Sequence, residues 1–266
     1  MPLAVCATPI GNLEDITLRV LAELREADVV LAEDTRHTRG LLERHGIAAT
    51  LLSYHEHNEA ERVAELLPRL GAGERIALVS DAGMPAVSDP GARLVRAALE
   101  AGIDVTVLPG PSAVETALVA SGLAGGRFAF VGFLPRKTGE LDALWRETSA
   151  WECPLVAFES PHRLAATLRS LAAFDPEREV AVCRELTKRF EEVVRGKAGD
   201  VAARLAAPPK GEVTLVVGPG SAVSDPETAR RAMAELVAAG TPRGVAAEVV
   251  ARLTDTSRND LYRASL

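Results

Sequence analysis

Short β-branched runs alternate with helix-period segments along most of this chain, and that alternation restricts the fold more than any other feature. Residues 3–7, 28–32, 75–80 and 103–108 each read as a strand. Between them Val63, Leu66, Leu67 and Leu70 share one helical face, as do Leu94, Val95, Ala98 and Leu99. Asp89-Pro90 reads as an N-cap followed by a proline at the first helical position. Such alternation predicts an α/β fold with a mostly parallel, helix-covered sheet.

Pro109-Gly110-Pro111 interrupts the pattern, and a domain boundary is expected just after it. The alternation then resumes. Residues 128–133, 155–158, 180–184 and 213–218 read as strands, and Ser160-Pro161 opens a helix with Leu164, Leu168 and Leu171 on one side. Residues 190–196, with Glu191-Glu192, fit a strand with one wet face. Beyond Gly220, Asp225-Pro226 and Thr241-Pro242 each look like a helix start. Val245, Ala246, Val249, Val250 and Leu253 form a helical stripe, residues 254–257 a break, and residues 258–262 a short helix. The expected organisation is two α/β domains, residues 1–112 and 113–222, and a small helical region, residues 223–266.

Composition narrows the function class. Apolar residues make up 47% and charged residues 25% of 266, which suits a packed globular protein and excludes disorder as the main state. No run of about 18 apolar residues exists to span a bilayer. The first residues lack the basic segment of a secretory signal. Cys6, Cys153 and Cys183 are odd in number and have no CxxC spacing, so they read as buried thiols in a reducing cytoplasm. A formal charge of −7 excludes coating nucleic acid by charge alone, although a local basic groove is compatible with it.

The familiar nucleotide motifs are absent. Gly71-Ala72-Gly73 precedes a strand and, like Gly218-Pro219-Gly220, lacks a third glycine; there is no Walker sequence and no Gly-x-Ser-x-Gly elbow. Chemistry must therefore sit in the strand-end loops. Residues 7–13 make a tight turn at the carboxyl edge of the sheet, where open α/β sheets bind ligands. Glu33, Asp34, Arg36 and His37 stand together after the second strand, as a helix cap or as a polar site. Residues 80–91 run longer than capping requires, and their small side chains allow a ligand close to the backbone. His55-Glu56-His57 lacks a third ligand and reads as solvated or substrate-facing rather than metal-binding. Residues 184–189 are a mixed-charge stretch, and residues 132–137 lead from a strand into a basic turn.

TPIGNLED (residues 8–15), AEDTRHT (32–38), HEHNE (55–59), SDAGMPAVSDPG (80–91), PGPSA (109–113), GFLPRK (132–137), ESPHR (159–163) and RELTKRFEE (184–192) follow one another in that order. Together they resemble the tetrapyrrole methylase superfamily, the class III S-adenosylmethionine-dependent methyltransferases, and within it the branch acting on small-subunit ribosomal RNA. The likeness runs from residue 3 to about residue 218. It implies two α/β domains with the cofactor in the cleft between them. It also implies 2′-O-methylation of a cytidine in the decoding region of 16S ribosomal RNA within the 30S subunit, by a cytoplasmic homodimer with no membrane partner and no metal.

Carried over motif by motif, the cofactor contacts implied are Pro9 at the first turn, then Ser80, Asp81 and Met84, with Asp81 near the amino-acid end. Ser112 and Ala113 follow at the hinge, then Phe158 and Leu186; Gly211 and Val213 face the adenine through backbone groups. For catalysis, Glu33, Asp34 and Glu185 are candidates to accept the hydroxyl proton or orient the hydroxyl. Arg36 and Lys188 are candidates to hold a phosphate or lower the acceptor's pKa. Two rivals remain: a methyltransferase acting on a tetrapyrrole or other small molecule, and a non-catalytic ribosome assembly factor on the same fold.

Overall fold

The computed structural model describes residues 2–220, 226–254 and 256–265. Its first half is a five-stranded sheet of β1 (Leu3–Cys6), β2 (Val29–Ala32), β3 (Leu51–Ser53), β4 (Ile76–Val79) and β5 (Val105–Leu108), in the order β3-β2-β4-β1-β5. Every pairing is parallel. The central strands are buried on both faces, and alternate residues go to opposite cores. Ala4 and Cys6 of β1 meet α1 (Leu18–Glu26) and α2 (Thr35–Arg44) through Val20, Leu24 and Leu41. Leu3 and Val5 meet α3 (Glu59–Gly71) and α4 (Ala92–Glu100) through Leu66, Leu70 and Leu94. Continuous apolar runs suit such strands because helices cover both sides of a parallel sheet.

The second sheet holds β6 (Ala129–Phe133), β7 (Leu155–Glu159), β8 (Glu179–Arg184), β9 (Glu192–Lys197) and β10 (Val213–Val217), in the order β6-β7-β10-β8-β9. Only β6 and β7 are parallel; the other three pairings are antiparallel. The mostly parallel expectation therefore holds for the first sheet and fails for the second. Residues 185–191 join β8 to β9 without a helix, which forces the return strand to run antiparallel. One face carries α6 (Thr138–Thr148), α7 (Pro161–Phe174) and α8 (Ala198–Arg204) over a core that includes Trp145, Leu168 and Val201. The other face carries α5 (Ala113–Ser121) over a second core, into which Ile10 from the first half also packs.

Two further expectations change. Asp89 does not cap α4, whose N-cap is Gly91 at φ 136°. The Gly91 amide instead donates to Glu59 Oε1 at 2.9 Å, which leaves Asp89 and Pro90 in the loop before the helix. The expected stripe on α10 (Arg243–Thr254) is only partly buried: Ala246, Ala247 and Val250 face inward, while Val245 and Leu253 are 51% and 74% exposed. The inward face is rotated because α10 packs against both α9 (Pro226–Ala238) and α11 (Arg258–Ala264). Asp225, Asp255 and the expected division at 222/223 lie outside the described residues. Among the described residues no helix is long and apolar enough to cross a membrane.

Candidate active site

The carboxyl ends of the first sheet face the second sheet across a cleft of about 650 Å³. Three hydrogen bonds shape the near wall. Thr8 and Gly83 exchange backbone bonds at 2.8 and 3.1 Å, and Thr8 Oγ1 donates to the Ser80 carbonyl at 2.9 Å. The β1 turn and the 80–91 loop thus form one unit, with Ile10, Met84, Ser88 and Asp89 in the wall. Gly11 sits against the far wall: a Cβ there would lie 2.8 Å from the Leu186 carbonyl oxygen. The Asn12 amide donates to Thr187 Oγ1 at 2.9 Å and clips the two halves together.

Among the described residues four non-glycine residues adopt positive φ: Ala86, Ser88, Glu185 and Thr187. All four lie on the two loops that face each other across the cleft. Backbone in this region is costly for a side-chain-bearing residue and concentrates at functional sites.

The far wall is ordered by charge. Glu185 Oε1 accepts from Lys188 Nζ at 3.0 Å and from the Glu212 amide at 3.1 Å, and Lys188 Nζ also donates to Glu212 Oε2 at 2.8 Å. These bonds hold the Glu185 carboxyl below its ordinary range, with Lys188 as the largest cause. Burial works against the Lys188 charge, but its bonds to Glu212 and Glu185 outweigh it and leave its pKa raised. Gly211, at φ 91°, is required here because a Cβ would enter the Glu185 side chain. Glu159 is buried and bound by the Ser160 amide at 2.6 Å, by Thr167 Oγ1 at 2.5 Å and by Arg163. It is a structural carboxylate in the cleft wall.

Among the expected cofactor residues, Met84, Ser112, Ala113, Phe158, Leu186, Gly211 and Val213 line the cleft. Pro9, Ser80 and Asp81 are not among its lining residues; Ser80 Oγ donates to the Gly83 carbonyl at 3.2 Å and Asp81 Oδ1 accepts from the Asp34 amide at 3.1 Å. Among the expected catalytic residues, Glu185 and Lys188 are in the wall, whereas Glu33, Asp34 and Arg36 are not. The Asp34 carboxylate caps α2 through the Arg36 amide at 2.8 Å and pairs with the Arg36 guanidinium, which holds its pKa at about 2. That guanidinium is 87% exposed. His55 and His57 lie edge to face at 5.9 Å, and among the described residues no cluster of three or more His, Cys, Asp or Glu has metal-binding geometry.

Sequence reasoning missed Asp89. Burial first, then the charges of Glu33 and Asp81, push its carboxyl up to about 6. It lines the cleft and has no ion-pair partner among the described residues. Its sequence signal, an Asp-Pro before a helix, is also the signal of a cap. Cys183 lines the cleft too, but burial pushes its thiol up to about 11, so it is protonated near neutrality and offers no nucleophile. Apolar side chains, with Asp89, Glu185 and Glu212 against Lys188, suit a ligand with net positive charge.

The family model of Tetrapyrrole (Corrin/Porphyrin) Methylases matches residues 2–202. The chain is 46% identical over 268 residues to the ribosomal RNA small subunit methyltransferase I of Mesorhizobium japonicum, covering 99% of this chain and 91% of that protein. The chain belongs to the ribosomal RNA small subunit methyltransferase I family of tetrapyrrole methylases. The protein of that name from Thermotoga maritima is 46% identical over 219 residues, 81% of this chain and 97% of its own length. Among solved tetrapyrrole methylase structures, the methyltransferase CobJ superposes with a TM-score of 0.63 at 22% identity, covering 82% of this chain and 93% of that one. A uroporphyrin-III C-methyl transferase from Thermus thermophilus, complexed with S-adenyl homocysteine, gives a TM-score of 0.56 at 22% identity over 81% and 96% of the two chains. Those two likenesses concern the fold. Membership of the ribosomal RNA small subunit methyltransferase I family makes the chain a methyltransferase.

Proposed function

We propose that the chain transfers a methyl group from S-adenosylmethionine to the ribose 2′-oxygen of a cytidine in the decoding region of 16S ribosomal RNA. In this reading it acts on the 30S subunit, as a cytoplasmic homodimer. The observation that carries the reading is the 46% identity over 99% of this chain to a ribosomal RNA small subunit methyltransferase I.

The cleft's chemistry fits the cofactor. S-adenosylmethionine supplies an electrophilic methyl on a sulfonium, and its ammonium and sulfonium outweigh its one carboxylate. Glu185 and Glu212 outnumber Lys188 in the wall and suit such a cation, and Ile10, Ala113, Leu186 and Val213 offer apolar surface to an adenine. The volume falls in the ordinary range for small-molecule sites, roughly 300–1,000 Å³. Residues 1–112 contribute the near wall and residues 113–222 the far wall, with residues 223–266 as an accessory unit.

Holding donor and acceptor in line contributes about 7–11 kcal/mol to such a reaction. Ala86, Ser88, Glu185 and Thr187, fixed in unfavourable backbone, keep the walls in place for it. Asp89 accepts the 2′-hydroxyl proton, since its raised pKa makes it a stronger base than Glu185. Lys188 faces the ribose-phosphate, and the exposed side chains of Arg36, Arg39, Arg136 and Lys137 supply local attraction despite the net charge.

The test uses tritiated S-adenosylmethionine and 30S subunits from cells lacking this methylation. Label on one ribose 2′-oxygen of 16S RNA is expected. Cofactor binding without RNA label would move the reading to a small-molecule acceptor. Neither binding nor label would make the chain a non-catalytic assembly factor.

A further inference from the structure

We propose that Phe133 is the platform on which a base of the RNA substrate stacks as its ribose enters the cleft; this rests on the RNA reading above. The GFLPRK segment is not among the residues that the resemblance assigns to the cofactor, yet its phenylalanine stands in the cleft wall. Phe133 is 62% exposed, an unusual position for a large aromatic at the end of a sheet strand. Its neighbours do not share that exposure. Phe158 packs edge to face against Phe130 at 5.0 Å and against Phe133 at 5.5 Å, and both Phe130 and Phe158 are partly buried. The cluster braces Phe133 from one side and leaves its other side open.

The backbone accounts for this orientation. The β6–β7 register shifts between Phe130 and Phe133, and Gly132 lies at φ 70°. An irregularity of this kind re-aims a side chain out of strict alternation, and such irregularities recur beside active sites. A Cβ on Gly132 would stand 3.5 Å from Ser88 Oγ, so the bulge faces the near-wall loop. Phe133 is thereby presented where the two walls meet.

The charge around it fits nucleic acid. Arg136 and Lys137, both exposed, follow three and four residues later, and Arg136 forms no ion pair among the described residues. A flat apolar ring beside cations is the combination by which proteins hold unstacked bases, the cations on phosphate and the ring on a base face. Every base has a π face, so this platform binds a splayed nucleotide and leaves the choice of base to other contacts.

The experiment compares wild type, Phe133→Ala, Phe133→Leu and Phe133→Tyr. It measures KM and kcat for methyl transfer to 30S subunits, and cofactor affinity by calorimetry. Phe133→Leu keeps an apolar side chain but has no ring. Both Phe133→Ala and Phe133→Leu are expected to lower kcat/KM for 30S subunits by about tenfold or more, on the scale of one base–aromatic stack, with cofactor affinity unchanged. Phe133→Tyr, which keeps the ring, recovers most of that loss. Phe133→Leu matching wild type would overturn the proposal, as would a loss confined to cofactor affinity, which would assign the ring to the adenine instead. A wild-type protein that labels no RNA would overturn the RNA reading and this proposal with it.

Discussion

At pH 7 the Asp89 carboxylate is held in the cleft against its own burial and against the charges of Glu33 and Asp81. Its pKa of about 6 lies well above the ordinary 3.8. Between those two values the folded protein keeps a proton that the unfolded chain has lost. The stability this proton contributes is full below pH 3.8 and is lost as pH rises through about 6. Asp89→Asn removes the dependence. Urea denaturation of wild type and variant is expected to show wild type losing stability relative to Asp89→Asn across that window, with a constant difference on either side. A difference that does not change across the window would place the carboxyl near its ordinary value. The same titration gives methyl transfer an acid limb near pH 6, which reports the ionised carboxylate.

The 80–91 loop is held from behind by the corner between β3 and α3. Tyr54, 1% exposed, donates from its hydroxyl to Glu59 Oε1 at 3.0 Å, and the Gly91 amide donates to the same oxygen at 2.9 Å. Removing that acceptor strands a buried hydroxyl and an amide, at about 1–3 kcal/mol for each group left unsatisfied. Glu59→Ala is expected to lose about 2–6 kcal/mol of stability, and to bind cofactor more weakly because the loop carrying Met84 and Asp89 is released. Glu59→Gln keeps an oxygen in place and most of both properties. Equal losses in the two variants, by denaturation and calorimetry, would show that the acceptor is not what matters. This strut explains why HEHNE stands out in the sequence: Glu59 holds a loop, and Asn58 Oδ1 accepts from the His55 amide at 2.8 Å. The long apolar runs of β1, β2, β4 and β10 were legible as strands because they are buried on both faces. β3 was not, since three half-buried residues give no periodicity. Strand direction in the second sheet was not legible either, because runs such as VTLVV read alike in parallel and antiparallel pairs. The cleft loops stand out by their Gly, Pro and Asp content. What each carboxylate does was hidden until tertiary contacts were known, since Arg163 occupies Glu159, Lys188 occupies Glu185 and Arg36 occupies Asp34.

The whole molecule divides into a two-sheet body and a three-helix unit with its own core of Ala229, Met233, Ala246, Ala247, Val250 and Leu261. Among the described residues the cleft draws its lining from Ile10 to Thr214 and takes none from that unit. The relative from Thermotoga maritima, matched over 219 residues that make up 97% of it, has the length that the two-sheet body alone would fill. The helical unit nonetheless exposes Arg230, Arg231, Arg243, Arg252, Arg258 and Arg263, on a chain whose formal charge is −7. Cations placed against phosphate raise affinity in proportion to the counterions they release, and that contribution shrinks as salt rises. A chain ending at Gly220 is therefore expected to fold and to bind S-adenosylmethionine as the full chain does. Its KM for 30S subunits rises at low salt, and the salt dependence of that KM becomes shallower. Loss of cofactor affinity in the shortened chain would instead mean that the helices complete the cleft. An unchanged salt dependence would mean that the six arginines meet solvent and not RNA.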